Sequence, residues 1–355
     1  MVVSRRSLLL TGAAIPTAAY GQCVVNAPAV DACLGGVRNA GPAGATLDLN
    51  FMFPGSMPPG VTFTRASTAT YTDASGVIQT AAVNQPRWDY AGGSLRGLLI
   101  EEARTNLFLN SATLSTQSVA VTAQAYTLSF YGTGTVTKSG AATGALVGTG
   151  AGQRVTQTFT PTAGTLTCTV TGSVTNAQIE AGSFVTSWIP SAGATATRAA
   201  DVAVIPTSAW FSATAGTIMS EALSFNSSAA GAFNTTFSLN DGGASNRIEG
   251  VRNSDATNLF SEYMIVANSY VATAGIGTVV VGTPYKAAMN YAAGSQRGTL
   301  NGAAVTSLGT SAALSPVTQL TIGSVVNAQF LNGYIRRVQY WPRVLSDAEM
   351  RQVTT

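Results

Sequence analysis

Tyr126-Thr127-Leu128-Ser129-Phe130 decides how this chain is read. Apolar residues stand at every second position and hydroxyl residues fill the gaps, the period of a strand with one buried face. The alternation returns in Val61-Thr62-Phe63-Thr64-Arg65, in Arg154-Val155-Thr156-Gln157-Thr158-Phe159 and in Leu166-Thr167-Cys168-Thr169-Val170. It returns again in Tyr285-Lys286-Ala287-Ala288-Met289-Asn290-Tyr291 and Leu320-Thr321-Ile322. Between such runs Gly, Asn, Asp and Pro recur at about ten-residue spacing, the punctuation of an all-β chain. The expected fold is therefore all-β: two β-sandwich domains after an N-terminal extended arm, with a short C-terminal helix. Residues 1–46 are expected to be the arm, 47–200 the first sandwich with its N-terminal hairpins, and 201–355 the second.

Local signals refine this outline. Thr70 to Gln79, with Thr72-Asp73-Ala74-Ser75-Gly76 at its centre, reads as a β-hairpin. Asn301-Gly302 reads as a two-residue hairpin turn between Thr299-Leu300 and Ala303-Ala304-Val305. Ser346 and Glu349 form a capping box ahead of one or two helical turns ending near Val353.

Composition narrows the function. The chain has 355 residues, 46% of them hydrophobic, so it can fill more than one core despite 37 glycines. Only 9% are charged and none is His. Without His no Ser-His or Cys-His nucleophile can be built, and a zinc site has no basis. The expectation is a non-enzyme without metal or cofactor. Carboxylate pairs for glycoside hydrolysis are sought in Glu221 with Glu249 and Asp241 with Glu249, whose spacing is ordinary for sandwich strands. Asp241-Gly242-Gly243 reads as a plain turn rather than a calcium loop.

The net charge is +3, only Lys138 and Lys286 are lysines, and no basic stripe follows residue 6. Nucleic acid is not an expected partner, and no stretch is long and apolar enough for a membrane span. Cys168 alternates onto an apolar face and reads as core, while Cys23 and Cys33 could close a small loop in an oxidising compartment. Ser4-Arg5-Arg6 followed by Leu8 to Ile15 fits either an attachment arm, the expectation carried here, or an export leader.

Gly97-Leu98-Leu99-Ile100-Glu101-Glu102-Ala103-Arg104-Thr105-Asn106-Leu107 is the densest signature. Leu98 and Ile100 share a strand face, and Arg104 is placed to neutralise a neighbouring carboxylate, so the segment reads as architecture. Together with Phe63-Thr64-Arg65-Ala66-Ser67-Thr68-Ala69-Thr70-Tyr71 and with Gln178-Ile179-Glu180-Ala181-Gly182 through Trp188-Ile189-Pro190 to Arg198-Ala199-Ala200-Asp201, it resembles tail-fibre and head-spike proteins of tailed bacteriophages and gene transfer agents. The middle region resembles a carbohydrate-binding-module jelly roll. The C-terminal part, closing on Gly333-Tyr334-Ile335-Arg336-Arg337-Val338-Gln339-Tyr340-Trp341, resembles a concanavalin A-like (laminin G-like) sandwich. The resemblance covers residues 47–355 and implies a virion fibre or spike subunit that adsorbs to host surface polysaccharide. It implies attachment to other virion proteins through the arm, and many copies acting together, hence a homo-oligomer. The alternatives are an exported lectin-like or adhesin-like bacterial protein, extracellular or periplasmic, and a structural decoration protein without a ligand.

Sugar binding needs aromatic rings beside planar hydrogen-bonders. In the second sandwich the candidates are Arg247, Glu249, Arg252, Tyr263, Asn290 and Tyr291, with Arg247 and Glu249 on one strand face. Tyr285, Met289 and Tyr291 share a face that also fits a core, and Trp188 and Trp341 read as packing anchors.

Overall fold

Period-two patterning turns into sheets throughout. The computed structural model describes residues 41–225, 233–253, 257–309, 316–326 and 328–355. Ser4-Arg5-Arg6, most of the expected arm and the Cys23–Cys33 loop lie outside the described residues.

The strands build two sandwiches, and residues Gly44–Thr355 form one unit. In the larger sandwich one sheet runs Thr306–Gly309, Ser295–Leu300, Tyr285–Ala292, Ala215–Ser224, Gly333–Trp341, Ser94–Ile100, Trp88–Ala91, with Leu47–Asn50 also paired to Gly333–Trp341. The facing sheet runs Thr62–Thr64, Val202–Pro206, Gln319–Ile322, Phe233–Asn240, Arg247–Asn253, Leu259–Val266, Ser269–Thr278. Leu98, Ile100, Phe237, Leu239, Phe260, Met289, Tyr291 and Tyr340 fill the space between them, each at most 1% exposed. The backbone of Gly323 presses on Ile100, where an added Cβ would sit 3.0 Å from two of its carbons.

The smaller sandwich is a jelly roll. Its sheets run Gly144–Val147, Thr135–Gly140, Gly164–Thr171, Gln117–Val121 and Gly150–Phe159, Tyr126–Gly132, Thr175–Ala181. Leu128 and Phe130 from the opening stretch are fully buried in its core beside Cys168. Burial pushes the Cys168 thiol up to about 11, so it stays a protonated, inert core group.

The strands sort differently from a division at residue 200. Leu47–Asn50, Thr62–Thr64, Trp88–Ala91 and Ser94–Ile100 all belong to the larger sandwich, and the jelly roll occupies residues from about Phe108 to Ile179. The reason is pairing: Leu47 stands opposite Tyr340 and Ile100 opposite Gly333, so the first segment closes the sheet that the last strand centres.

The expected hairpin forms, with Ala69–Thr72 on Ile78–Ala81 and the Asp73 carboxylate accepting from the amides of Ser75 and Val77, each at 2.9 Å. Asn301-Gly302 makes the expected turn, with φ of 49° and 71° and the Ala303 amide donating to the Leu300 carbonyl. The ladder resumes only at Gly298 opposite Thr306, so the loop is wider than a two-residue hairpin. The C-terminal helix accounts for the opening: the Gly302 amide donates to the Thr354 hydroxyl, and Thr299 is taken up by the Ala303 carbonyl. That helix, Asp347–Thr354, carries the Ser346–Glu349 capping box and packs Met350 and Val353 on Met219 and Trp341.

Candidate functional site

The three motif stretches meet where the hairpin, the jelly roll and the larger sandwich touch. Asp201 accepts from Arg65 at 3.0 Å and also pairs with Arg87. Glu101 pairs with Arg87 at 2.8 Å and Arg198 at 3.2 Å, and accepts from the amide and hydroxyl of Ser187. All five charged groups are at most 1% exposed. Burial alone would raise the Glu101 carboxyl, yet the guanidiniums of Arg198 and Arg87 hold it down at about 2. Glu180 lies close by, accepting from Gln178 and from the amide and hydroxyl of Thr186. Such a densely paired cluster fixes three elements in one relative position.

Glu101 and Glu102 face opposite sides of this cluster, each toward a cleft. On the Glu102 side lies an open cleft of about 910 Å³ between the two sandwiches. The jelly roll contributes Gln124 and Tyr126, the loop leaving its last strand contributes Gly182 and Phe184, and the larger sandwich contributes Phe233, Asn234, Gln329 and Asn332. Its floor is Glu102 to Thr105. Arg104 donates to Glu102 at 2.6 Å and lies 4.7 Å over the Phe184 ring. Asn332 donates to the other Glu102 oxygen at 3.2 Å and accepts from the Glu102 amide. The Arg104 guanidinium lies across Gly182, whose φ of 134° and missing side chain leave the room: an added Cβ would fall 1.6 Å from Arg104 Nη1. The cleft thus offers aromatic rings, Phe184 and Phe233 among them, beside planar hydrogen-bonding side chains. Arg104 neutralises its neighbour as expected, and also forms a wall.

The six residues chosen from the sequence do not form one site. Arg247 and Glu249 share the strand face turned away from Ile248, both buried and their charges 3.0 Å apart, with Tyr263 opposite Glu249 on the next strand. Tyr263 stacks edge-on with Phe233 at 6.2 Å, one ring away from the cleft. Arg252 points inward, is fully buried and donates to the Asn234 side chain, so it stands behind the cleft wall. Asn290 and Tyr291 lie on the other sheet, each 1% exposed. Asn290 is covered by the C-terminal helix, donating to the Leu345 carbonyl, and the Tyr291 hydroxyl meets Tyr340 at 2.7 Å inside the core. Asn290 is closed to a ligand by that helix and Tyr291 by the core between the two sheets.

The carboxylate pairs do not assemble either. Glu221 is paired with Arg336 on one sheet while Glu249 stands on the other. Asp241 is bound into its turn by the Gly243 amide and Asn246. Among the described residues no three His, Cys, Asp or Glu side chains converge as metal ligands, and no helix is long and apolar enough to cross a membrane.

No known family profile matches the chain, and no curated protein matches it. Among solved structures, the carbohydrate-binding module CBM40 of the Ruminococcus gnavus IT-sialidase, bound to alpha2,3 sialyllactose, is 18% identical over 40% of this chain and 83% of its own, with a TM-score of 0.34. The leech intramolecular trans-sialidase is 17% identical over 40% of this chain and 23% of its own, TM-score 0.34. The NanB sialidase of Streptococcus pneumoniae is 12% identical over 40% of this chain and 24% of its own, TM-score 0.35. The chain thus spans less than a quarter of these two sialidases. At such scores the similarities bear on neither ligand nor activity.

Proposed function

We propose that this chain is a non-catalytic glycan-binding protein that holds surface polysaccharide in the cleft between its two sandwiches. One observation carries the reading: the cleft sets the Phe184 and Phe233 rings beside Arg104, Gln124, Gln329 and Asn332. A pyranose has an apolar face that suits an aromatic ring and a hydroxyl rim that suits planar donors and acceptors. Binding rather than hydrolysis is favoured by the carboxylates, because the Glu102 oxygens at the cleft are held by Arg104 and Asn332 and those of Glu101 by Ser187 and two arginines. Hydrolysis would need two free carboxyl groups across the scissile bond.

The resemblance of the three motif stretches to tail-fibre and head-spike proteins supports a place on a phage-type virion, attached through the N-terminal segment and acting in many copies. Weak single sites then add up by multivalency. The exported lectin-like reading uses the same cleft and is favoured by Ser4-Arg5-Arg6. Retention on immobilised bacterial capsule or lipopolysaccharide tests the cleft: Phe184→Ala and Phe233→Ala are expected to abolish retention while leaving the thermal midpoint nearly unchanged. Equal retention of both variants contradicts the assignment.

A further inference from the structure

On the Glu101 side of the ion cluster lies a second, smaller pocket of about 240 Å³. The hairpin supplies Tyr71, the larger sandwich Asp89 and Tyr334, and the jelly roll Tyr131, Arg154 and Trp188. Drug-sized sites begin near about 300 Å³, so this pocket fits one small ring and no more.

Its hydrogen-bonding inventory is lopsided. Among the described residues the Trp188 indole N–H and the Arg154 Nε–H are buried without a partner, as are Arg87 Nε and Arg198 Nε in the adjoining cluster. The acceptors around them are spoken for. Asp89 takes the Thr72 amide and the Tyr334 hydroxyl, each at 2.6 Å, and Glu101 is filled by Ser187 and two arginines. Arg154 donates only to neutral oxygens, the Thr186 carbonyl at 2.6 Å and the Ser129 hydroxyl at 2.9 Å. Among the described residues it has no carboxylate within ion-pair distance. Of the guanidiniums gathered here, those of Arg65, Arg87 and Arg198 pair with Glu101 and Asp201, and that of Arg154 stands outside these pairs. A further carboxyl, Asp89, lines the same pocket, but it is taken up by the Thr72 amide and the Tyr334 hydroxyl rather than by Arg154. Buried donors without acceptors are costly, and the complement of such a site is a ligand rich in acceptors.

We propose that this pocket binds one acidic sugar ring, with its carboxylate on the free donors of Arg154 and its ring against Tyr131 and Trp188. The sugar half of this assignment rests on the glycan-binding reading of the larger cleft, while the carboxylate half rests on the donor surplus alone. Saturation-transfer NMR and titration calorimetry with glucuronate, glucose and acetate, using the full chain, test it. Glucuronate is expected to bind at least about tenfold tighter than glucose and acetate, the worth of one charge-assisted contact. Arg154→Gln is expected to remove that margin, and Trp188→Phe, which keeps the packing but lacks the N–H, to weaken glucuronate several-fold. Phe184→Ala in the other cleft is expected to leave glucuronate unaffected, so a failure of the larger cleft is visible separately. Glucuronate no tighter than glucose, or unchanged affinity in both Arg154→Gln and Trp188→Phe, overturns the proposal. Acetate binding as tightly as glucuronate overturns its sugar half, and the glycan reading of this pocket with it.

Discussion

Arg87 and Asp201 stand 114 residues apart in sequence and in direct ion contact in the fold, both fully buried. Asp201 also holds Arg65 and accepts from the Glu101 amide at 2.9 Å, so one carboxylate ties the segments on either side of the hairpin to the end of the strand that closes at Ile100. The cluster fixes the walls of both clefts.

Removing that carboxylate leaves two buried guanidiniums short of charge. Asp201→Ala is expected to destabilise the fold by about 3–5 kcal/mol, the scale for breaking a buried pair from one side. Urea unfolding measures it. A loss below about 1 kcal/mol shows that the cluster does not hold the elements together.

Glu101 sets the acid limit. Its folded pKa of about 2 lies below the ordinary 4.5, so its stabilisation is complete above the ordinary value and is lost as pH falls from there toward 2. The thermal midpoint is expected to drop through this window. Glu101→Gln, less stable at pH 7, is expected to show a shallower drop, and parallel curves for the two proteins contradict the assignment.

Glu262 acts in the opposite direction. It is fully buried in the larger core against Gly298, and among the described residues both its oxygens lack a partner. Burial raises its pKa well above 4.5, so the fold favours the protonated acid. Its contribution is full below the ordinary pKa and is lost as pH rises toward the folded value. Glu262→Gln is expected to raise the thermal midpoint at pH 8 and to change it little at pH 4. A variant equally shifted at both pH values would mean that the acid does not titrate between the two states.

Gly182→Ala tests how Arg104 is seated. The new Cβ would occupy the position of the guanidinium, and the backbone there needs a positive φ. Polysaccharide affinity is expected to fall about fivefold or more, with a stability loss of about 1 kcal/mol. Unchanged affinity would remove Arg104 from the binding surface.

What the sequence made legible is what is encoded locally. The capping box at Ser346 needs only three residues of context, the Asp73 turn only five, and the alternation from Tyr126 to Phe130 assigns its own buried face. Partner choice has no such signature. Nothing near Leu47 signals pairing with Tyr340, so a boundary at residue 200 was the natural reading although the first strands close the larger sandwich. The cleft was missed for a related reason. Phe184 and Phe233 belong to different sandwiches, and each alone reads as an ordinary strand-end aromatic. Strand-face counting does not show that Asn290 is roofed by the C-terminal helix or that Tyr291 faces inward. The role of Arg104 was readable because its partner, Glu102, is two residues away.

The central claim is that the cleft between the sandwiches binds glycan without cleaving it. Equilibrium titration of purified bacterial surface polysaccharide into the full chain, with reducing ends counted in the same samples, tests it most directly. The account predicts saturable binding, its loss in Phe184→Ala, and a constant number of reducing ends. Binding that survives Phe184→Ala unchanged, or reducing ends that accumulate with time, would contradict it.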